Sequence, residues 1–310
     1  MTQRTRYAYR FSRIERIKEL MLARALRHRK VDFDRNRPVA SIIGDHISDR
    51  IRVEGIYERN ILEILREQIL DQEACGRMVA IDVGANIGNH TLFLSDLFAK
   101  VIAFEPNELA RSLLRINLGM NGVTNVDLRP VGLSDRPGRL TLTFEKANLG
   151  AARLRGVGAN ASSETVEVEL TVGDDEIDPS ESVGFIKIDV EGAEEAVLRG
   201  LEQTIRKHMP ILMIEQLEDG IDPVTGASAP FVFLRNLGYS AYCLRTGNSL
   251  SRKLSPLANF LLGRRISRLD LLARLEKRDY PALFFMPDGI FAVAMTPKGS
   301  DTAGGGPPSS

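Results

Sequence analysis

The chain has 310 residues, 43% of them hydrophobic and 26% charged, and its 41 basic and 41 acidic side chains cancel. That length holds one large α/β domain or two small ones with a substantial core, and a neutral balance gives no general attraction to nucleic acid, so no nucleic-acid partner is expected. The only cysteines, Cys75 and Cys243, are too far apart for a zinc spacing and fit a reducing compartment; no apolar run reaches the roughly 18–20 residues of a transmembrane helix, and the N-terminus lacks a signal-peptide core, so a cytoplasmic protein is expected.

Residues 1–40 read as a basic helical extension. The first 30 carry ten Lys/Arg against Glu15 and Glu19, and Ile14, Ile17, Met21, Leu22, Ala25 and Leu26 give a rough helical stripe. A helix packing on the domain is the favoured reading. Peripheral contact of residues 1–30 with an anionic membrane surface is the alternative. Residues 41–296 read as one domain, with core motifs at 78–245, and the Gly/Pro/Ser-rich tail 297–310 as disordered. Val39–Ile43 is expected as a strand, and Ile61, Leu62, Leu65 and Ile69 space out a helix.

The core opens at Val79-Ala80-Ile81-Asp82-Val83-Gly84-Ala85-Asn86-Ile87-Gly88. A short β-branched run ends in an acid and a Gly-x-x-x-Gly turn, and then Phe93, Leu94, Leu97 and Phe98 recur at helical spacing. The glycines are expected to let the backbone approach a ligand at a helix start. A second run, Lys100–Phe104, ends in Glu105, roughly 20 residues beyond the turn. There an acid on the second strand of a βαβ unit accepts hydrogen bonds from ribose hydroxyls. Glu105 thus indicates a nucleoside. Asp82 lies before the glycines, where a pyrophosphate would not want a carboxylate. It favours S-adenosylmethionine (SAM) over NAD.

Asn107 is placed to cap a helix carrying Leu109, Leu113, Leu114 and Leu118, stopped by Asn121-Gly122. Strands are expected at Val126–Val131, Leu140–Phe144 and Val166–Val172, with Asn148–Ser163 a mobile loop that could close over an acceptor through Leu149 and Arg153. Phe185–Asp189 reads as a strand with Phe185, Lys187 and Asp189 on one face, and Glu191–Ile205 as a helix whose first turn carries Glu191 and Glu194. Ile211–Ile214 is a strand, Phe231–Leu237 a helix, and Tyr239–Leu244 and Ile290–Met295 two late strands. The Arg-rich stretch Arg252–Arg274 is an insertion or another membrane-facing surface. Alternating strands and helices imply a three-layer, mostly parallel sheet whose ligands bind at the carboxyl ends of the strands. Asp82, Glu105, Asp189 and Glu215 all fall at those ends.

The ordered blocks Ile81–Gly88, Phe104-Glu105-Pro106, Asn117 with Asn121, and Ile186-Lys187-Ile188-Asp189-Val190-Glu191-Gly192-Ala193-Glu194, preceded by Gly55-Ile56-Tyr57-Glu58, resemble the FkbM-type SAM-dependent methyltransferases over roughly residues 45–245. The resemblance implies a class I methyltransferase (Rossmann-like) fold, a seven-stranded sheet with an antiparallel last strand. It also implies O-methyl transfer to a hydroxyl of a sugar, glycan or secondary metabolite. Gly84, Ala85, Asn86 and Gly88 would line the methionine and ribose part of SAM. Asp82 would receive hydrogen bonds around the amino-acid moiety, and Glu105 would hold the ribose. Leu133, Ser134 and Asp135 would lie near adenine.

Methyl transfer needs alignment and a base for the acceptor proton. Asp189 is the first candidate and Glu215 the second; His90 is a third, and Lys187 pairs with the base or polarises the hydroxyl. No metal is the favoured reading, although Asp189 and Glu215 would also suit Mg²⁺. Two other functions compete: an NAD-dependent oxidoreductase, and a non-catalytic membrane-associated adaptor.

Overall fold

In the computed structural model, placement is described for residues 37–42, 48, 50, 51, 55–145, 148–154, 163–248 and 265–289, all but Arg37 in the unit Pro38–Ser310. The expected extension 1–40, apart from 37–40, lies outside these residues. So do most of the Arg252–Arg274 patch, Ile290–Met295 and the tail 297–310.

Helix α1 (Arg59–Ile64) runs into a π-helical turn, Leu65–Ile69, and then a short α2 (Gln72–Cys75) capped by Asp71. The core follows as β1 (Val79–Val83), α3 (Asn89–Ser95), β2 (Lys100–Phe104), α4 (Glu108–Met120) and β3 (Val126–Arg129). After β4 (Gly132–Ser134), β5 (Gly138–Glu145), β6 (Asn148–Leu154), β7 (Ser163–Val172) and α5 (Gly173–Glu176), the chain re-enters the core. There it makes β8 (Val183–Ile188), α6 (Glu194–Gly200), α7 (Glu202–His208), β9 (Ile211–Gln216) and α8 (Ala229–Asn236). It ends in β10 (Tyr239–Asn248), β11 (Arg265–Leu272) and β12 (Tyr280–Pro287).

The main sheet has eight strands in the order β11-β10-β12-β9-β8-β1-β2-β3. The pairs β1·β2, β2·β3, β1·β8 and β8·β9 are parallel, and β12 is antiparallel to both β9 and β10. Seven of these strands make the expected class I methyltransferase sheet; β11 adds an antiparallel eighth at the edge. Strand periodicity splits the core in two. Val79, Ile81, Val83, Ile186, Ile188, Leu212 and Ile214 pack on one face with Val197, Leu198 and Ile205 of α6 and α7. Ala80, Val101, Phe185 and Met213 pack on the other with Leu62, Leu65, Phe93, Leu94 and Phe98.

Several expectations are corrected. Residues 39–42 form no strand. Ala40 N–H instead donates to Asn117 Oδ1 (2.6 Å), and Asn117 Nδ2 donates to Ala40 O (3.1 Å), so an amide side chain on α4 does what a neighbouring strand would. Residues Asn148–Leu154 are a strand, β6, in a separate four-stranded sheet of order β4-β7-β5-β6. Its composition is poor in β-formers, but β5 supplies an antiparallel partner. The helix expected from Glu191 begins at Glu194, because Glu191 (φ 50°) and Gly192 (φ 103°) are left-handed. The last described strand is Tyr280–Pro287, a nearly continuous apolar run buried on both faces between β9 and β10.

Candidate functional site

The carboxyl ends of β1, β2, β8 and β9 meet at one rim, and register dictates which side chains meet there. Asp82 pairs with Lys187 across β1 and β8, on the face shared with Ala80 and Phe185. Lys187 is buried. Its Nζ lies 3.4 Å from Asp82 Oδ1 and 3.3 Å from Asp189 Oδ2, and it donates to Gly84 O at 2.8 Å. Burial opposes its charge, but the two carboxylates outweigh that and hold it above the usual lysine range. Asp82 is fully buried, and its Oδ2 accepts from Thr91 Oγ1 of α3 at 2.6 Å. Its carboxylate therefore belongs to the scaffold that fixes Lys187 and does not reach the cavity.

The next positions on that face are Asp189 after β8 and Glu215 on β9, side by side because Ile188 pairs with Ile214. Their carboxyl groups are close enough for each to act on the other's charge. Burial raises Glu215, and Asp189, Glu191 and Glu194 add to it, pushing it up to about 9. Burial works against ionising Asp189 too, but the Lys187 cation overrides it and holds Asp189 below the usual carboxylate range. One carboxyl raised beside one lowered is the arrangement of a pair that holds a single proton near neutral pH. His90, at the start of α3, sets its Nε2 3.2 Å from Glu58 Oε2.

A cavity runs over this rim. It is lined by Gly84, Ala85, Asn86, Glu105, Asn107, Lys187, Asp189, Glu191, His90 and Tyr57, with Leu140 and Leu142 of β5 and Val168 and Leu170 of β7 as an apolar wall. Glu105 Oε2 accepts Asn86 N–H and Oε1 accepts Asn107 N–H, both at 2.8 Å. Burial pushes Glu105 up to about 7 in spite of these two bonds. Arg111 braces the turn from α4, donating to Glu105 O (2.9 Å) and Pro106 O (3.0 Å) and pairing with Glu108. Asn86 Oδ1 and Asn107 Nδ2 are buried and take no partner within the protein, although both residues line the cavity.

The glycine turn works differently from expectation. A Cβ on Gly84 (φ 74°) would stand 1.9 Å from Asp189 O, and one on Gly88 (φ 94°) 2.2 Å from Leu114 Cδ1. Both glycines make room for the protein's own backbone and helix packing. Asn86, left-handed at φ 50°, turns the loop between them.

Of the expected site residues, Gly84, Ala85, Asn86, Glu105, Lys187 and Asp189 line this cavity. Asp82, Gly88, Ser134, Asp135 and Glu215 do not. Ser134 Oγ donates outside it to the exposed Asp135 at 3.3 Å, while Leu133 does face it. Glu215 stands behind Asp189. The structure adds Tyr57, held by paired bonds with Asn89 (Tyr57 N to Oδ1 3.0 Å, Nδ2 to Tyr57 O 3.1 Å), and the apolar wall from the second sheet. Tyr57 belongs to Gly55-Ile56-Tyr57-Glu58, the segment whose resemblance precedes the core blocks. The wall could not be placed from periodicity alone, because alternation does not say which sheet a strand joins.

Fold and rim together define an α/β protein with the class I methyltransferase sheet and a cavity at the carboxyl edge of its strands. Residues 82–240, about half of the chain, match the methyltransferase FkbM domain, and the chain belongs to that family. It is a methyltransferase, which removes the oxidoreductase alternative. It is 31% identical to methyltransferase sdnD of Sordaria araneosa over 46% of this chain and 68% of that protein. It is 29% identical to the hexuronic acid methyltransferase AglP of Haloferax volcanii over 54% of this chain and 64% of that one. The chain thus spans about two thirds of the length of these relatives. A methyltransferase FkbM structure from Methylobacillus flagellatus aligns with TM-score 0.37 at 18% identity, covering 68% of this chain and 44% of that one.

Proposed function

We propose that this chain transfers a methyl group from SAM to a hydroxyl of a sugar, glycan or other small hydroxylated molecule. The observation that carries the reading is the Asp189 carboxylate on the cavity rim, 3.3 Å from the buried Lys187 Nζ and beside Glu215 of β9, in the same cavity that Glu105 lines. A nucleoside fits the residues there. Each Glu105 oxygen accepts one backbone N–H and keeps a second lone pair for a ribose hydroxyl. Asn86 Oδ1 and Asn107 Nδ2 offer an unused acceptor and donor, and Leu133, Leu140 and Leu170 offer apolar surface for a base.

SAM, when bound, supplies a methyl group already activated on a sulfonium. The chain's own residues orient and deprotonate the acceptor. Lys187 keeps Asp189 ionised, and the Asp189 carboxylate takes the hydroxyl proton as the oxygen attacks. Glu215 remains protonated and donates to Asp189, steering the carboxylate. Lys187 is tied to Asp82, Asp189 and Gly84 O, so its role is to position and charge the base.

The test is calorimetric titration of the full chain with SAM and with NAD, alongside acceptor assays read by mass spectrometry. Wild type binds SAM and not NAD. Glu105→Gln weakens SAM binding at least about tenfold, the equivalent of losing about 1.4 kcal/mol of hydrogen bonding to a charged group. Asp189→Asn leaves SAM affinity within about threefold and lowers transfer by about 10²–10⁴. A protein that ignores SAM, or an Asp189→Asn variant that transfers methyl at the wild-type rate, would end this reading.

A further inference from the structure

A second cavity of about 380 Å³ opens beside the first, within the roughly 300–1,000 Å³ range of small-molecule sites. Tyr57 is common to the two linings. The second cavity also lies at the carboxyl edge of the main sheet. Antiparallel β12 begins there, its Tyr280 paired with Gln216 next to Glu215, and β10 contributes Cys243.

Its charge is opposite in character to that of the first rim. Arg50, Arg59 and Arg278 line it, with Glu58 and Asp279 as the acids. Glu58 Oε2 stands 3.2 Å from His90 Nε2, Asp279 Oδ1 accepts Glu218 N–H at 2.8 Å, and Arg50 and Arg59 also have partners within the protein, so the lining carries three cations against two acids. Arg278 is stacked with its guanidinium 4.6 Å from the centre of the Tyr280 ring, its Nε is 3.3 Å from Glu276 Oε2, and its Nη2 reaches Cys243 Sγ at 4.0 Å, a long contact to a weak acceptor. The stack and the Glu276 pair fix the plane of the guanidinium, and an oxyanion would replace the thiol as a far stronger acceptor on Nη2.

From this second cavity we infer that the acceptor is an anionic hydroxylated molecule, whose carboxylate or phosphate sits among Arg50, Arg59 and Arg278 while its hydroxyl passes Tyr57 to reach Asp189. The inference rests on the methyl-transfer reading above for the role of Asp189. The two charge fields give the acceptor one orientation. Its anion is drawn to the arginine side and repelled by Asp189, Glu191 and Glu194, so only an uncharged hydroxyl is presented to the base. A neutral sugar would forgo the arginine contacts and bind in no fixed orientation.

The experiment uses the full chain saturated with S-adenosylhomocysteine and titrates sodium glucuronate, glucose 6-phosphate and glucose, in wild type, Arg278→Ala and Arg278→Lys. One of the two anionic sugars binds at least about tenfold more tightly than glucose, and which one it is tells carboxylate from phosphate. Arg278→Ala abolishes the preference, Arg278→Lys restores part of it, and S-adenosylhomocysteine affinity is the same in all three. Equal binding of glucose and the anions, binding of no sugar, or a preference that survives Arg278→Ala overturns the inference. The S-adenosylhomocysteine titration reports separately on the methyl-transfer reading: if it shows no binding, that reading fails, and the sugar comparison is still read on the protein alone.

Discussion

Replacing Lys187 by methionine should be among the most destabilising single changes in this chain. Methionine matches the length of the lysine stem, so packing beside Phe185 and Met213 is largely kept and the loss is electrostatic. Asp82 then keeps only the Thr91 hydroxyl on Oδ2. Oδ1 is left with nothing, in a residue of 0% exposure. Asp189 suffers less, because its side chain is 40% exposed and shares a proton with Glu215. Gly84 O also loses a donor. Removing one partner of a buried pair costs about 3–5 kcal/mol, and nearly all of it should be charged to Asp82. Urea unfolding of wild type and Lys187→Met measures the total, and Asp82→Asn in the Lys187→Met background should recover at least about 1.5 kcal/mol as coupling. Asp189→Asn alone should cost under about 1 kcal/mol. A Lys187→Met cost below about 1 kcal/mol, or no relief from Asp82→Asn, would refute the assignment of Asp82 to the scaffold.

Glu215 stays protonated in the fold up to about 9 against an ordinary 4.5, so its contribution to stability is full below about 4.5 and is lost as pH rises through 9. Glu105, raised to about 7, acts in the same direction but is spent by pH 7. The melting temperature should therefore fall between pH 7 and 9 in wild type and much less in Glu215→Gln; parallel curves would contradict the shared-proton pair. Gly84→Ala would drive a methyl group into a backbone carbonyl at positive φ and should abolish soluble folded protein. Gly88→Ala meets only the tip of Leu114 and should be partly rescued by Leu114→Ala, both read by circular dichroism melts. Asn117→Ala removes bonds to Ala40 and to Ile87 O (2.7 Å) from a side chain with no exposure. It should cost about 2–4 kcal/mol by chemical denaturation, and a cost below about 1 kcal/mol would deny its role as a tie.

What was legible in the sequence was what short-range pattern encodes. Asp82, Glu105 and Lys187 are visible because charged residues end or interrupt apolar runs, and period-two geometry alone places Lys187 with Asp189 on one face. What the pattern could not carry was partner choice. Alternation in Leu140–Phe144 and Val166–Val172 is the same whether the strands join the main sheet or, as they do, a second one. The Gly84 and Gly88 turn looks identical whether the missing Cβ admits a ligand or a neighbouring carbonyl. Tyr280–Pro287 carries Pro281 and a run of apolar residues, so its antiparallel place between β9 and β10 depends on pairing that no local signal states.

The same distinction explains how the rim divides its labour. A carboxylate can shift the charge state of its neighbour or meet the ligand, and register decides which. Asp82 lies one position below the strand end, pointing at α3, and its proximity to Lys187 is what lets a lysine survive in the core. Asp189 lies just past the end of β8, where the same lysine reaches it but the cavity does as well. The decisive step is the two residues that carry the chain from Lys187 to Asp189 on one face, from inside β8 to the rim just past it. Glu215 on the adjoining strand then needs no cation of its own, because the proton it retains is stabilised by the charge that Lys187 preserves on Asp189.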